Sequence, residues 1–246
     1  MTDLLELTAR AEDAHFWFHG FRSFVAPVLA GVAAGRPDLR LIDCGAGTGH
    51  NLQLLAPHGR VFAFDLAPNA LTRTRASTHP LVRADITRIP FAASAFDIAT
   101  SFDVLQSVPD AQGAVLEMAR IVKPGGSVVL TVSALELLRG DHAELWQEGQ
   151  RYTPAQARAL VTNAGLEPLR VSFLFGSLFP LMLGTRLWQR ATRALRGAAV
   201  DSDMSVPAAP VNAALTALVR GEAALSRHLP MPVGSSLLVV ARKPRR

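Results

Sequence analysis

At 246 residues the chain is long enough for one α/β domain with its own core plus an insertion. A single cysteine, Cys44, excludes an intramolecular disulfide framework and any multi-cysteine metal site. The net charge of +5 and the basic end Arg242-Lys243-Pro244-Arg245-Arg246 would suit an anionic partner, but arginines are scattered throughout with no interleaved aromatic stripe, which argues against nucleic acid. In chain order, the N-terminus has no basic region followed by an apolar core and a small-residue cleavage site, so a cytoplasmic address is expected. Asp3 to Glu12 carries Leu4, Leu5 and Leu7 among acids and predicts a short amphipathic helix. His15-Phe16-Trp17-Phe18-His19-Gly20-Phe21-Arg22 then concentrates aromatics ahead of a second helix ending near Gly35. On its own this segment reads as a core-capping cluster.

Leu41-Ile42-Asp43-Cys44-Gly45-Ala46-Gly47-Thr48-Gly49-His50-Asn51 is the organising stretch. An apolar run ends at an acid, glycines follow at alternate positions, and an apolar pattern resumes at Leu52, so strand, tight loop and helix are expected. Gly45, Gly47 and Gly49 permit positive φ and let a ligand approach the main chain, and the helix start offers unpaired N–H groups. The spacing is GxGxG. His50 therefore sits where a dinucleotide fingerprint needs its third glycine, and no GxxxxGK[ST] loop occurs.

Arg60 to Asp65 reads as the second strand, ending in an acid able to accept from both hydroxyls of a ribose. Pro68 would start the next helix. Leu81 to Ile86 fits a third strand with Asp85 at its end, and Phe96 to Phe102 a fourth. Asp110 caps a helix through Val122, and Lys123-Pro124-Gly125-Gly126 turns into the fifth strand, Ser127 to Ser133.

The glycine loop, Asp65, Asp85 and the Lys123-Pro-Gly-Gly turn, in that order, resemble the class I S-adenosylmethionine-dependent methyltransferases of small-molecule type. The likeness covers about Asp38 to Ser133 well and the flanks more loosely. It implies a Rossmann-like, seven-stranded, mostly parallel sheet with helices on both faces and a helical insertion before the last strand. S-adenosylmethionine is the implied cofactor and S-adenosylhomocysteine its product. Asp43, Gly45, Ala46, Gly47, Thr48 and Gly49 would hold the methionine half, Asp65 and Leu66 the ribose, and Asp85 and Ile86 the adenine. Ser101 and Phe102 would line the floor. The resemblance also implies Trp17 over the adenosyl group or the sulfonium, the latter through cation–π attraction, and Arg22 against the methionine carboxylate.

Many relatives read Glu-His where this chain has Gln106-Ser107, which removes one candidate base. No [DNS]-P-P-[FYW] segment grips a flipped base. His142, His19 and Asp103 remain as candidate bases, with His142 preferred because it falls in the variable segment. Leu105, Gln106 and Tyr152 are the expected acceptor wall. Tyr152 reads equally as a packed aromatic. His, Asp and Glu do not cluster at ligand spacing, so no metal is expected.

Thr153 with Gln156 forms a capping box, Pro154 takes the first helical position, and that helix closes near Gly165. Leu169 to Phe175 is the sixth strand and Ser235 to Arg242 the last. The expected organisation is a helical segment and cofactor lid over 1–36, a core over 37–175, an insertion over 176–234, and a last strand with basic tail over 235–246. The insertion begins as an apolar run that meets arginine too soon to span a bilayer. A lid over the pocket is its plainer role, and contact with a membrane surface the other. Gly197 to Pro210 reads as a mobile loop, and Val211 to His228 as an amphipathic helix. The expected activity is methyl transfer to a small, hydrophobic organic acceptor on O, C or N. The alternative is a methyltransferase-like binding or scaffold subunit. The acceptor and the oligomeric state are not encoded legibly.

Overall fold

A computed structural model of the chain describes residues 4–67, 70, 81–196 and 205–245. Pro68, the expected start of the helix after the second strand, lies outside them, as does most of the expected loop Gly197 to Pro210. The first strand, β1 (Leu39–Cys44), is buried except at Arg40 and apolar apart from Arg40 and Asp43, the pattern of a parallel strand covered on both faces. Beside it run β2 (Gly59–Asp65), β3 (Leu81–Arg83), β4 (Phe96–Phe102), β5 (Val122–Ser133), β6 (Glu167–Leu174) and β7 (Ser236–Arg242). They form one seven-stranded sheet in the order β3-β2-β1-β4-β5-β7-β6. Pairings are parallel except those of β7, which is antiparallel to β5 and β6. Chain order reverses between β1 and β4, and an open α/β sheet forms its crevice beyond the strand ends at such a point.

Helices cover both faces. On one side α1 (Leu4–Ala11) leads into α2 (Phe16–Ala33), and α3 (Leu52–Leu55) follows the glycine loop. This side buries Phe21, Phe24, Val25 and Leu29 of α2 against Leu41, Ile98 and Val129 of the sheet. On the other, α4 (Ala111–Ile121) buries Val115 and Met118, and α6 (Pro154–Asn163) buries Ala157 and Val161, both against Val128 and Leu130. Between these two lies the short α5 (Asp141–Leu145). The insertion supplies α7 (Phe179–Arg196) and α8 (Ala209–Leu225). Val219 and Ala223 of α8 join the core on the α2 side.

Local signals act as their chemistry dictates. The Asp110 side chain accepts from the Gly113 amide at 2.8 Å and starts α4. Both halves of the Thr153–Gln156 capping box form. Several boundaries differ from expectation, most by one to three residues. The aromatic segment lies inside α2, whose first turn is capped by His15 accepting from the Trp17 amide. β3 stops at Arg83. The Lys123-Pro-Gly-Gly turn belongs to β5 itself, where a register irregularity between Phe96 and Ile98 accommodates it and Gly125 has φ +77°.

Candidate active site

Three glycines carry the loop after β1, with φ of +88° at Gly45, +53° at Gly47 and +75° at Gly49, a region costly for side chains with a Cβ. Its first amides are committed to β2. Gly45 and Ala46 donate to the Phe64 carbonyl at 2.9 and 3.0 Å, and Gly47 donates to Asp65 Oδ2 at 2.8 Å. Asp65 Oδ1 accepts from the Ala67 amide, also at 2.8 Å. Three successive amides are therefore spent on the neighbouring strand rather than gathered into a phosphate nest. Opposite, a Cβ at Gly45 would come within 2.6 Å of Val104 Cγ2, so the residues after β4 close directly on the loop.

Beneath the loop, Asp43 is 1% exposed and accepts from Thr100 Oγ1 at 2.7 Å. Desolvation pushes its carboxyl up to about 7; the Thr100 bond opposes this and the nearby Asp65 charge adds to it. Ser101 Oγ donates to the Cys44 carbonyl at 2.8 Å. The structure thus sets Asp43 and Ser101 under the loop as braces. Cys44 is buried, with its thiol pushed well above its usual range by desolvation, and is unsuited to nucleophilic chemistry.

The N-terminal segment docks on the same loop. Glu12, 7% exposed, accepts from Thr48 Oγ1 at 2.6 Å. Arg22 donates twice to the Glu12 carbonyl, both at 3.1 Å. It also donates to His50 Nε2 at 2.9 Å and to His19 Nδ1 at 3.2 Å. Because arginine only donates, His50 carries its proton on Nδ1, which faces Glu12 and Asp13 at 3.8 and 3.9 Å. His19 has its Nδ1 lone pair engaged, and burial followed by the Arg22 and Arg220 charges lowers its pKa. Trp17 stacks on Phe175 with centroids 3.8 Å apart, and Phe21 meets Phe102 edge-on at 5.4 Å.

On the β2–β3 rim Leu66 is 59% exposed. Asp85 is also exposed; it accepts from the Thr87 amide and hydroxyl, which hold its carboxyl below the usual range. Ile86 is buried in the core. At the end of β4, Asp103 adopts a left-handed φ of +54° and accepts from Thr131 Oγ1 at 3.1 Å. The residue is exposed, yet protein crowds around its carboxyl. Desolvation pushes its carboxyl up to about 6, with the Thr131 bond opposing, Glu148 adding to the shift and Arg151 reducing it. Glu148 and Arg151 form a buried ion pair at 3.0 Å, and Ser133 Oγ donates to Glu148 at 3.0 Å.

The expected wall lies deeper. Leu105, Gln106 and Tyr152 are 0%, 5% and 5% exposed, so they pack behind the crevice. The Tyr152 hydroxyl contacts Gln150 and the Leu105 carbonyl. The backbone of His142 lies in α5. Glu12, Thr100 and Thr131 could not be read from the sequence because each acts through a partner distant in the chain. Only the acid at the end of the predicted first helix could have flagged Glu12. Among the described residues no group of His, Cys, Asp and Glu is arranged to hold a metal.

Residues 42–130 match the family model described as a methyltransferase domain. The chain is 33% identical over 132 residues to a malonyl-[acyl-carrier protein] O-methyltransferase of Serratia marcescens, covering 52% of this chain and 51% of that one. It is 34% identical over 129 residues to a demethylmenaquinone methyltransferase of Mycobacterium sp. (strain KMS), covering 52% and 56%. The chain thus spans about half the length of the curated relatives it matches. Phosphoethanolamine N-methyltransferase 2 of Haemonchus contortus, solved with S-adenosyl-L-methionine, superposes with a TM-score of 0.59 over 99% of this chain and 60% of that one, at 15% identity, a likeness of fold. The glycine loop and the acid at the tip of β2 both lie inside the segment, residues 42–130, that matches a methyltransferase domain.

Proposed function

We propose that this chain transfers a methyl group from S-adenosylmethionine to a small, hydrophobic organic acceptor by in-line displacement. The observation that carries the reading is the Gly45–Gly49 loop, left-handed at each glycine and tied by the Gly47 amide to Asp65. A sulfonium nucleoside suits it better than a dinucleotide, because the Gly45, Ala46 and Gly47 amides are already committed and a phosphate would need such donors. Each Asp65 oxygen accepts one backbone amide, and the remaining lone pairs suit two ribose hydroxyls. In this reading Asp85 serves the adenine edge, Ile86 supports it from the core, and Leu66 flanks the sugar. Trp17 closes the methionine end, and Arg22, whose terminal N–H groups are engaged by Glu12, His50 and His19 rather than aimed at a carboxylate, holds the N-terminal segment in place there.

The bound cofactor supplies an electrophilic methyl carbon on a sulfonium. What the protein adds is alignment and exclusion of water, worth an effective molarity on the order of 10⁵ M or more. For an acidic acceptor we assign Asp103 as general base, ahead of His142 and His19. A carboxyl near 6 on a left-handed residue at the tip of β4 has the proton affinity that work at neutral pH requires. His19 has its Nδ1 engaged by Arg22.

Calorimetric titration with S-adenosylhomocysteine tests the cofactor assignment. The parent should bind, and Asp65→Ala should bind at least about tenfold more weakly with melting temperature as control. Equal affinity in the two proteins would overturn the ribose role.

A further inference from the structure

Helix α7 carries four arginines, Arg186, Arg190, Arg193 and Arg196, and no acid. Ordinary amphipathic packing would put its apolar stripe inward and its charges outward. Met182 follows that rule by packing on the core, but the neighbouring turns depart from it. Arg186 is 4% exposed, and its stem lies so close over Gly140 that a Cβ there would come within 2.4 Å of Arg186 Cδ. Leu181, Leu187 and Trp188 point outward, 59%, 52% and 61% exposed. The hydroxyls that share this side are turned into the helix: Thr185 donates to the Met182 carbonyl at 2.7 Å and Thr192 to the Trp188 carbonyl at 2.8 Å. Arg190 marks the border, exposed, with Nη2 donating to the Leu137 carbonyl at 2.8 Å. Leu137, itself 48% exposed, extends the apolar surface beyond the helix.

We propose that α7 lies in the plane of an anionic lipid bilayer, with the Leu181–Leu187–Trp188 face entering the headgroup boundary and Arg190, exposed at its border, meeting a lipid phosphate. Charge selects this occupant. Two copies of the chain apposed through α7 would bring together helices whose only charges are basic, whereas anionic lipid complements them and a net charge of +5, with Arg190 near the surface adding to the attraction. Tryptophan is favoured at the membrane–water interface because its ring is apolar and its N–H polar. Among the described residues no helix is long and apolar enough to cross a membrane, so α7 would lie on the surface. The proposal does not depend on methyl transfer, since lipid binding is read without acceptor or turnover.

The test is co-sedimentation of the purified chain with phosphatidylcholine vesicles, with and without phosphatidylglycerol, beside Leu181→Glu/Trp188→Glu and the milder Leu181→Ser/Trp188→Ser. Light scattering without vesicles reports the mass. The expected result is partitioning into phosphatidylglycerol vesicles that falls when that lipid is left out. At least one doubly substituted protein that melts like the parent should partition about tenfold or more weakly. No partitioning of the parent would overturn the proposal. So would equal partitioning of parent and variants, which would assign binding to the basic end Arg242–Arg246. A parent dimer that the variants split would also overturn it, by giving the face to a second copy.

Discussion

Two aspartates beside the loop are held at raised pKa for different ends, and pH separates them. Asp43 is sealed under the loop and its carboxyl titrates near 7, chiefly by desolvation, whereas the unfolded chain releases that proton near the ordinary carboxylate value. The native state therefore holds more protons between about 4 and 7, and stability falls as pH rises through that window. Asp43→Asn keeps an acceptor for Thr100 Oγ1 and removes the buried charge. Thermal melts at pH 8 should show the variant more stable than the parent, by at most about 4 kcal/mol, with the gap closing toward pH 4 to 5. A gap that widened on acidification would mean that Asp43 is stabilised as the carboxylate. Asp103 follows β4 and is exposed, and its carboxyl near 6 makes a different forecast. If it is the base, kcat/KM rises with pH through about 6 and then levels. Asp103→Asn should lower the plateau by roughly a hundredfold or more and abolish the step. A variant retaining the step would return the role to His142.

At the scale of elements, the contact that sets the N-terminal helix against the insertion is a single missing side chain. A Cβ on Gly20 of α2 would lie 2.2 Å from Val219 Cγ1 and 3.0 Å from Phe175 Cε1. Valine in a helix cannot swing aside, so Gly20→Ala should destabilise the protein by roughly 1–3 kcal/mol even though alanine is the better helix former. Pairing it with Val219→Ala opens the space, and urea melts of the double variant should recover much of the loss. Additive losses would show that Val219 does not block the site. Nothing in the sequence of α2 announces this contact, because its partner is almost two hundred residues away. The same reason separates what was legible from what was not. The glycine loop, the Asp110 cap, the Thr153–Gln156 box and the acid ending β2 are short-range devices, and local chemistry fixes them. Thr100 under Asp43, Glu12 on Thr48 and Trp17 on Phe175 are pairings made by the finished fold. Tyr152 illustrates the ambiguity: wall and packed aromatic read alike in sequence, and burial distinguishes them. The insertion reads as amphipathic either way, while the direction its apolar side faces depends on how Arg186 seats on Gly140.

Across the whole molecule, the crevice occupies one end of the sheet and a polar clasp the other. There Asp97, 7% exposed, accepts from Arg36 Nη2 at 2.9 Å, the Arg40 amide at 3.0 Å and Lys123 Nζ at 2.9 Å, joining the segment after α2 to β1, β4 and β5. Burial alone would raise the Asp97 carboxyl, but the Arg40 amide, Lys123 and Arg36 outweigh it and hold it below the ordinary range. The sign of its linkage is therefore opposite to that of Asp43: its support is present above the ordinary carboxylate pKa and is lost as pH falls through the depressed value. Asp97→Ala should cost roughly 2–3 kcal/mol at neutral pH, with Arg36 and Lys123 limiting the loss because their heads reach water. In acid, melts of parent and variant should draw together. Because the clasp lies at the far end of the strands, the variant kept below its melting temperature should bind S-adenosylhomocysteine as tightly as the parent. A matching loss of cofactor affinity would show that the two ends of the sheet are coupled, and that the loop depends on how firmly β1 and β4 are clamped at their starts.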